Sequence, residues 1–488
     1  MFNAISRSRV FGGCLMSDIL IGRKREIEDL LDLYDSGKAE FVTIYGRRRV
    51  GKTFLINSLF EDKFLFKVTA VLNVNTQRQL SNFAEVLSDY SKKEVPVLSD
   101  WFVAFKYLRT YLEQSKKKRK VIFFDEMPWF DTKRSQFISA LEHFWNGWAS
   151  TQSNIMLIVC GSAISWIIKK LFQNRGGLHN RITRRIFLQP FSLQECRLYA
   201  NNAGLPVDDI SLIESYMIFG GIPYYLSLIN KNESLIQNIN RLCFTDGGEL
   251  RKEFDNLYAS IFNNANYHVL VVEAIGKIKS GITRDDIKQI TKLSENGSLT
   301  QTLKELELSG FIRKYTPFSR KKKGALYQLV DHFTLFHLAF IKNSSLNNSD
   351  SWMKKSETQS YRTWRGYAFE QVCLSHIKQI VKALGISGIV THVESWRSVQ
   401  SDPGAQIDLL INRSDRVISL CEMKFSDSLF TITKKIAQDI RDKRNTFLEE
   451  TGTKKAINVS FITPIGVKRN EYYDIVNSIV TAVDLIEN

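Results

Sequence analysis

Two groups of residues have the types and spacing for chemistry. The first is Gly46-Arg47-Arg48-Arg49-Val50-Gly51-Lys52-Thr53, with Phe54 following. It fits GxxxxGK[ST] between an apolar run and a helical stretch, the pattern of a phosphate-binding loop. The glycines let the backbone curl until its N–H groups face phosphates, and the helix start adds a partial positive charge. Lys52 is expected to reach the β- and γ-phosphates of ATP, and Thr53 to hold Mg²⁺. Downstream, Val121-Ile122-Phe123-Phe124-Asp125-Glu126 reads as a buried strand that delivers two carboxylates. Asp125 suits Mg²⁺ through its water shell, and Glu126 suits polarising the attacking water. Ser162 ends the run Ile158–Gly161 and is placed for the γ-phosphate or the lytic water. A small residue in a tight strand-to-helix turn accounts for it equally well.

The second group lies near the C-terminus. Gln406–Asn412 and Val417–Phe425 read as two strands joined by the polar turn 413–416. Alternation puts Glu422 and Lys424 on one face, and a hairpin brings Asp408 near Glu422. Two carboxylates and a lysine in this order resemble the core of the PD-(D/E)xK nuclease fold. That resemblance implies Asp408 and Glu422 as Mg²⁺ ligands and Lys424 as the group that orients or deprotonates water. It also implies a metal-assisting glutamate on the first helix. Glu370 is in position for that role, beside the apolar stripe Phe369, Cys373, Ile377, Ile380, Leu384 of a helix expected over 366–384. A solvated strand with an ion pair is the plainer reading. Gln406 also stands at the leading carboxylate position, and Pro403 is not adjacent to the aspartate.

These residues need a scaffold. Phe41–Tyr45, Val121–Phe124 and Ile155–Cys160 are short apolar strands separated by helical stretches, including Thr53–Phe60. That alternation predicts a parallel sheet covered on both faces. The pattern from Leu193 to about Phe262 is helical. From 267 to 329 the order is helix (269–278), helix (283–290), helix (298–309), strand (311–315), basic turn (Arg320–Lys323) and strand (325–329), the order of a winged helix. Its third helix, opened by Asn296–Lys304, would offer polar donors to base edges or phosphates, and the basic turn would touch backbone. The expected organisation is a tail over 1–17, an ATPase core over 18–192, a helical lid over 193–262, a winged helix over 263–342 and a nuclease-like α/β domain over 343–488. Either Met1 or Met16 could be the start.

Composition narrows the partners. The chain has 488 residues, 44% apolar and 24% charged, and no apolar run of membrane-spanning length. Its 67 Lys+Arg against 51 Asp+Glu give a net charge of +16, which favours a polyanion such as DNA. Cys14, Cys160, Cys196, Cys243, Cys373 and Cys421 are scattered without a CxxC pair, so a reducing, cytoplasmic setting is expected.

The residues together resemble the AAA-related archaeal-type ATPases, near the STAND signalling ATPases. Ile21-Gly22-Arg23-Lys24-Arg25-Glu26 is similar to their entry helix. Asn180-Arg181 ahead of Leu188-Gln189-Pro190-Phe191 resembles a segment in which Arg181 would stabilise transition-state charge, in cis or across the interface of a homo-oligomer. Arg175, Arg184 and Arg185 are competitors for that role. Phe219-Gly220-Gly221-Ile222-Pro223-Tyr224-Tyr225 looks like the lid motif, which implies that Gly221 and Pro223 touch the nucleotide base. The resemblance implies an ATP hydrolase acting on DNA, or alternatively a signalling switch that binds ATP without cutting anything.

Overall fold

Short runs of β-branched and aromatic residues alternate with amphipathic stretches over the first third of the chain, and they fold as strands and helices in turn. The computed structural model describes residues 20–173, 177–178, 180–262, 264–293, 297–318, 325–344, 351–398 and 405–487. The N-terminal tail, Arg175, Asn296, the basic turn Arg320–Lys323, Pro403 and most of 343–351 therefore lie outside the described residues. The chain divides into two units, Met1–Pro190 and Phe191–Asn488. Among the described residues no helix is long and apolar enough to cross a membrane.

The first unit holds five parallel strands: β1 (Glu40–Tyr45), β2 (Phe64–Thr69), β3 (Lys120–Asp125), β4 (Ile155–Gly161) and β5 (Arg184–Phe187). Their order in the sheet is β2-β3-β4-β1-β5. β3 and β4 are buried along their whole length, which is why they read as unbroken apolar runs. β4 lies between β1 and β3, so the carboxyl ends of three neighbouring strands deliver Gly46, Ser162 and Asp125 to one edge. β2 and β5 were not expected. Phe64–Thr69 carries a lysine in its interior, and Arg184–Phe187 begins with two exposed arginines, so neither shows a clean apolar run.

The second unit begins with helices Leu193–Ala203, Asp209–Phe219, Pro223–Ser227, Leu235–Phe244 and Glu253–Ile261. Helices Ala265–Gly276, Arg284–Thr291 and Ser298–Leu308 follow, with the strands β6 (Ile282–Thr283), β7 (Ile312–Tyr315) and β8 (Leu326–Leu329). These strands form an antiparallel sheet ordered β6-β8-β7, in which β6 is a strand too short to show in the sequence. A mixed five-stranded sheet closes the chain. It contains β9 (Thr391–Arg397), β10 (Gln406–Arg413), β11 (Val417–Met423), β12 (Ala456–Ile462) and β13 (Ser478–Val480), ordered β13-β12-β11-β10-β9. β9, β10 and β11 run antiparallel, whereas β11, β12 and β13 are parallel.

The single helix expected over 366–384 is two helices, Gln359–Ser375 and Ile377–Ala383, broken at His376. The His376 ring explains the break. Its Nδ1–H donates to the Val372 carbonyl at 2.8 Å, and its Nε2 accepts the Leu193 N–H at 3.0 Å. That N–H opens the Leu193–Ala203 helix and has no partner within it. Both ring nitrogens are used by the neutral imidazole, and burial keeps the His376 pKa low.

Candidate functional site

The loop after β1 is shaped by two different demands on its glycines. A side chain on Gly46 would place its Cβ 2.3 Å from the Leu188 carbonyl oxygen, on the strip that leaves β5. Gly51 has open space around it but a φ of +90°. Lys52, buried at the start of helix Lys52–Phe60, donates to the carbonyls of Gly46 at 3.1 Å and Arg47 at 2.9 Å. Arg23 donates to the Val50 carbonyl at 3.2 Å and so clamps the loop from outside. Arg48 is half-buried, Arg49 has a φ of +69°, and Phe54 stays 44% exposed beside the loop.

The carboxylates meet this loop where the strands end. The Thr53 hydroxyl contacts both oxygens of Asp125 at 3.1 Å. Asp125 also accepts the Glu126 N–H at 3.0 Å and the Cys160 thiol at 2.7 Å. Burial first, and the Asp125 charge second, push the Cys160 thiol up and keep it protonated. Glu126 has a φ of +48°, a left-handed conformation that costs a non-glycine residue roughly 1 kcal/mol or more. Its Oε2 accepts the Ser162 N–H at 3.1 Å and the Ser162 hydroxyl at 3.0 Å. A hydroxyl and a carboxylate held in contact are the hard-oxygen donors that Mg²⁺ prefers. Lys52, Thr53, Asp125, Glu126 and Ser162 are thus brought together.

Arg181 is not in that group. β5 pairs with β1 from Val42↔Arg184 to Tyr45↔Phe187, and Thr183 continues the ladder to Phe41. Arg181 therefore lies at the edge of the sheet opposite the phosphate loop, roughly 15 Å or more away at strand spacing. It is exposed, which does not fit a role in cis at this chain's own loop. Two of the competitors are engaged: Arg184 pairs with Asp29 at 2.7 Å, and Arg185 lies 4.4 Å from the Phe172 ring centre.

In the second unit, Gly220 and Gly221 both have positive φ at the end of helix Asp209–Phe219. A Cβ on Gly221 would stand 2.2 Å from the Phe191 carbonyl oxygen, and Phe191 N–H donates to the Gly221 carbonyl at 2.8 Å. Pro223 starts the next helix, where its missing N–H costs nothing.

The C-terminal carboxylates also gather. The β10–β11 register, Leu409↔Cys421, continued by one residue sets Asp408 beside Glu422. On its other side β10 shifts register against β9 between Ile407 and Leu410, so Asp408 and Leu409 form a bulge facing Ser395. Bulges re-aim side chains in this way beside many sites. Gln406 donates to Asp408. Glu422 is buried between Lys424 at 2.7 Å and Lys443 at 3.1 Å. Burial raises its pKa, but the two lysines outweigh burial and hold it below the usual value. Burial lowers the Lys424 pKa, and the Glu422 charge more than restores it. At Glu370, burial first, then the Asp408 charge, outweigh the charges of Lys424 and Lys279 and push the pKa up to about 8. Among the described residues no three His, Cys, Asp or Glu side chains are arranged to hold a metal ion.

Several neighbours were not legible in the sequence. Leu188 touches the loop across the sheet, Cys160 meets Asp125 through strand pairing, and Lys443 comes from the distant helix Lys434–Thr451. Leu188 stands in a segment that carries the family resemblance, but nothing in that segment announces its approach to the loop, and Cys160 and Lys443 carry no local motif. Cys160 has the nearest thing to a signal, since it sits two residues before Ser162 on a buried strand.

A profile of ATPase domains predominantly from Archaea matches residues 20–229. The chain is 25% identical over 433 residues to the uncharacterized protein MJECL04 of Methanocaldococcus jannaschii, covering 87% of this chain and 92% of that one. It is 44% identical over 45 residues to the uncharacterized ATP-binding protein MJ0423 of the same organism, covering 9% of this chain and 76% of that one. Among solved structures, the Walker-type ATPase of Pyrococcus abyssi aligns with 65% of this chain and 96% of its own, at 15% identity and a TM-score of 0.45. The chain carries, over residues 20–229, an ATPase domain of the archaeal type.

Proposed function

We propose that the chain is a Mg²⁺-dependent ATPase that couples ATP binding and hydrolysis to the binding or processing of DNA. The observation that carries the hydrolytic part is the meeting of Thr53, Asp125, Glu126 and Ser162 at the ends of three adjacent strands. Lys52 leaves its loop carbonyls for phosphate oxygens, whose negative charge attracts the ammonium more strongly than a neutral carbonyl does. Thr53 and Asp125 would hold the metal, which would supply charge neutralisation on the phosphates. Glu126 orients and polarises water, and Ser162 fixes where its carboxylate points. Gly221 and Pro223 form a lid turn against the base, and Arg181 serves a neighbouring subunit in a homo-oligomer. Residues 263–342 act as a winged helix and 343–488 as a nuclease-like domain; the charge of +16 supports a polyanionic partner.

A second reading is a switch of the STAND kind that binds ATP and cuts nothing. The pairing of Glu422 with two lysines favours it, because an incoming metal must displace one of them. One preparation distinguishes the two. Lys52→Ala is expected to abolish ATP turnover; turnover equal to the parent's would end the first reading at its base. Cleavage of DNA that requires Mg²⁺ and disappears in Asp408→Ala and Lys424→Ala supports processing. Absence of cleavage with and without ATP leaves the switch.

A further inference from the structure

Around the C-terminal carboxylates the unexplained charge is Arg313. It comes from β7, outside the five-stranded sheet that carries Asp408 and Glu422. On β7 it shares a face with Tyr315, and its guanidinium lies 4.9 Å from the Tyr315 ring centre. Its Nε–H donates to Gln328 Oε1 at 2.8 Å, directly across the β7–β8 pair. Gln328 in turn donates to the Lys279 carbonyl at 2.6 Å and reaches the Tyr367 hydroxyl at 3.4 Å. Tyr367 precedes Glu370 by three residues on helix Gln359–Ser375, so the two share a helical side. The guanidinium is therefore held by Gln328, which also reaches Tyr367, one helical turn before Glu370.

A main-chain bond anchors this arm to the carboxylate sheet. Just beyond β7, Phe318 N–H donates to the Ser395 carbonyl at 2.6 Å, and Ser395 is the residue opposite the Asp408 bulge. The Phe318 ring packs 5.4 Å from Phe447, in the cluster that holds Trp396 and Ile407. Asp408 and Glu370 act on Arg313 electrostatically, yet Arg313 forms no ion pair with either among the described residues. A guanidinium held by its own hydrogen bonds within electrostatic reach of the carboxylates, yet not paired with them, suits an anion brought to the carboxylates by a metal.

We propose that Arg313 is the phosphate-binding arm of the C-terminal carboxylate site, so that a nucleic-acid phosphodiester is held between β7 and the Asp408 bulge. This inference rests on the nuclease-like reading of residues 343–488. The arm is not part of that five-stranded sheet, so a C-terminal fragment alone would lack it. Arginine suits the task because its planar fork matches phosphate oxygens two at a time.

The test uses the full chain, fluorescein-labelled single- and double-stranded DNA oligonucleotides, and Ca²⁺ in place of Mg²⁺. Anisotropy is measured over a salt series for the parent, Arg313→Gln, Arg313→Lys and Asp408→Asn. Arg313→Gln is expected to weaken binding about tenfold and to reduce the salt slope on duplex by about 0.9, the loss of one phosphate contact. Arg313→Lys is expected to keep the parent's slope while losing part of the affinity. ATP turnover should be unchanged in both variants. Binding that depends on Ca²⁺ and Asp408 but ignores both Arg313 variants overturns the arm and spares the nuclease-like reading. Binding indifferent to Ca²⁺ and Asp408 overturns that reading and the inference with it. A slope equal to the parent's in a folded Arg313→Gln protein also overturns the arm, since it assigns the residue to packing alone.

Discussion

Gly46→Ala and Gly51→Ala separate two reasons why the phosphate loop needs glycine. At Gly46 the added Cβ would stand 2.3 Å from the Leu188 carbonyl oxygen, whereas ordinary contact needs about a further ångström. The Leu188 side has little freedom to give, because its N–H is held by the Tyr45 carbonyl at 2.7 Å. Overpacking against a fixed neighbour costs roughly 3 kcal/mol, the upper end of the usual range. For a unit of this size that lowers the melting temperature by roughly 6–12 °C. It also moves the loop carbonyls that hold Lys52, so ATP affinity should drop at least tenfold. At Gly51 nothing lies within 4 Å of the added Cβ, and the penalty is the φ of +90° alone. That strain is worth roughly 1–2 kcal/mol, or about 2–8 °C. The assay is thermal unfolding beside titration of a fluorescent ATP analogue. If Gly46→Ala melts and binds like the parent while Gly51→Ala does not, the close approach of Leu188 is not what fixes the loop.

Glu126→Gln should retain ATP affinity while turnover falls roughly 10²–10⁴-fold, the usual contribution of a positioned base; an equal loss of affinity would show that Glu126 holds the site together instead. His337 is buried, its ring is 4.2 Å from that of Phe254, and burial, then Lys342, lower its pKa from 6.5 to about 4. The unfolded chain takes up this proton first, so stability present above pH 6.5 is lost as pH falls towards about 4, by up to roughly 3 kcal/mol. His337→Phe should flatten that part of the melting-temperature curve, and an unchanged pH profile would refute the assignment. Trp352 is fully buried and stacks 5.3 Å from Phe244 and 4.9 Å edge-on from Phe336. Its replacement by Ala should cost roughly 3–5 kcal/mol in urea unfolding, and a loss under 1 kcal/mol would mean that this cluster is not a core.

What could be read from the sequence was whatever is local. The phosphate loop, β3 and β4 are contiguous, and each declares itself by composition: glycines at fixed spacing, or an apolar run buried on both faces. Asp125 and Glu126 were legible because a buried strand must end somewhere and these carboxylates end it. β2 and β5 were not, because Lys67, Arg184 and Arg185 break the apolar pattern at positions whose side chains reach solvent. His376 was read as one more helical residue. Its role comes from Leu193, far away in sequence, whose N–H needs an acceptor. Arg181 was assigned by resemblance, and only the β1–β5 register shows which edge of the sheet it occupies. Glu370 was legible as a carboxylate on an apolar helix side, but its neighbour Arg313 belongs to a strand with no motif at all.

Lys52, Asp125, Glu126 and Glu422 already have partners, and this changes what binding means energetically. Lys52 rests on two loop carbonyls, Asp125 on a hydroxyl and a thiol, Glu126 on Ser162, and Glu422 on two lysines. A ligand must exchange for these contacts, so affinity follows the difference between old and new bonds rather than their sum. At the phosphate loop the exchange is favourable. There the Lys52 ammonium would trade neutral carbonyls for charged phosphate oxygens, and the Asp125 carboxylate would trade a neutral hydroxyl for a metal cation, so each charge gains an opposite charge in place of a neutral partner. At Glu422 the partners are already charged, and separating a buried ion pair is costly. A metal arriving there gains little unless a second group compensates the displaced lysine. A bound phosphate is such a group, since it can accept the lysine that Glu422 releases. On the proposed function the two sites would therefore differ in kind: the first would bind its nucleotide directly, and the second would take metal and phosphate together or neither.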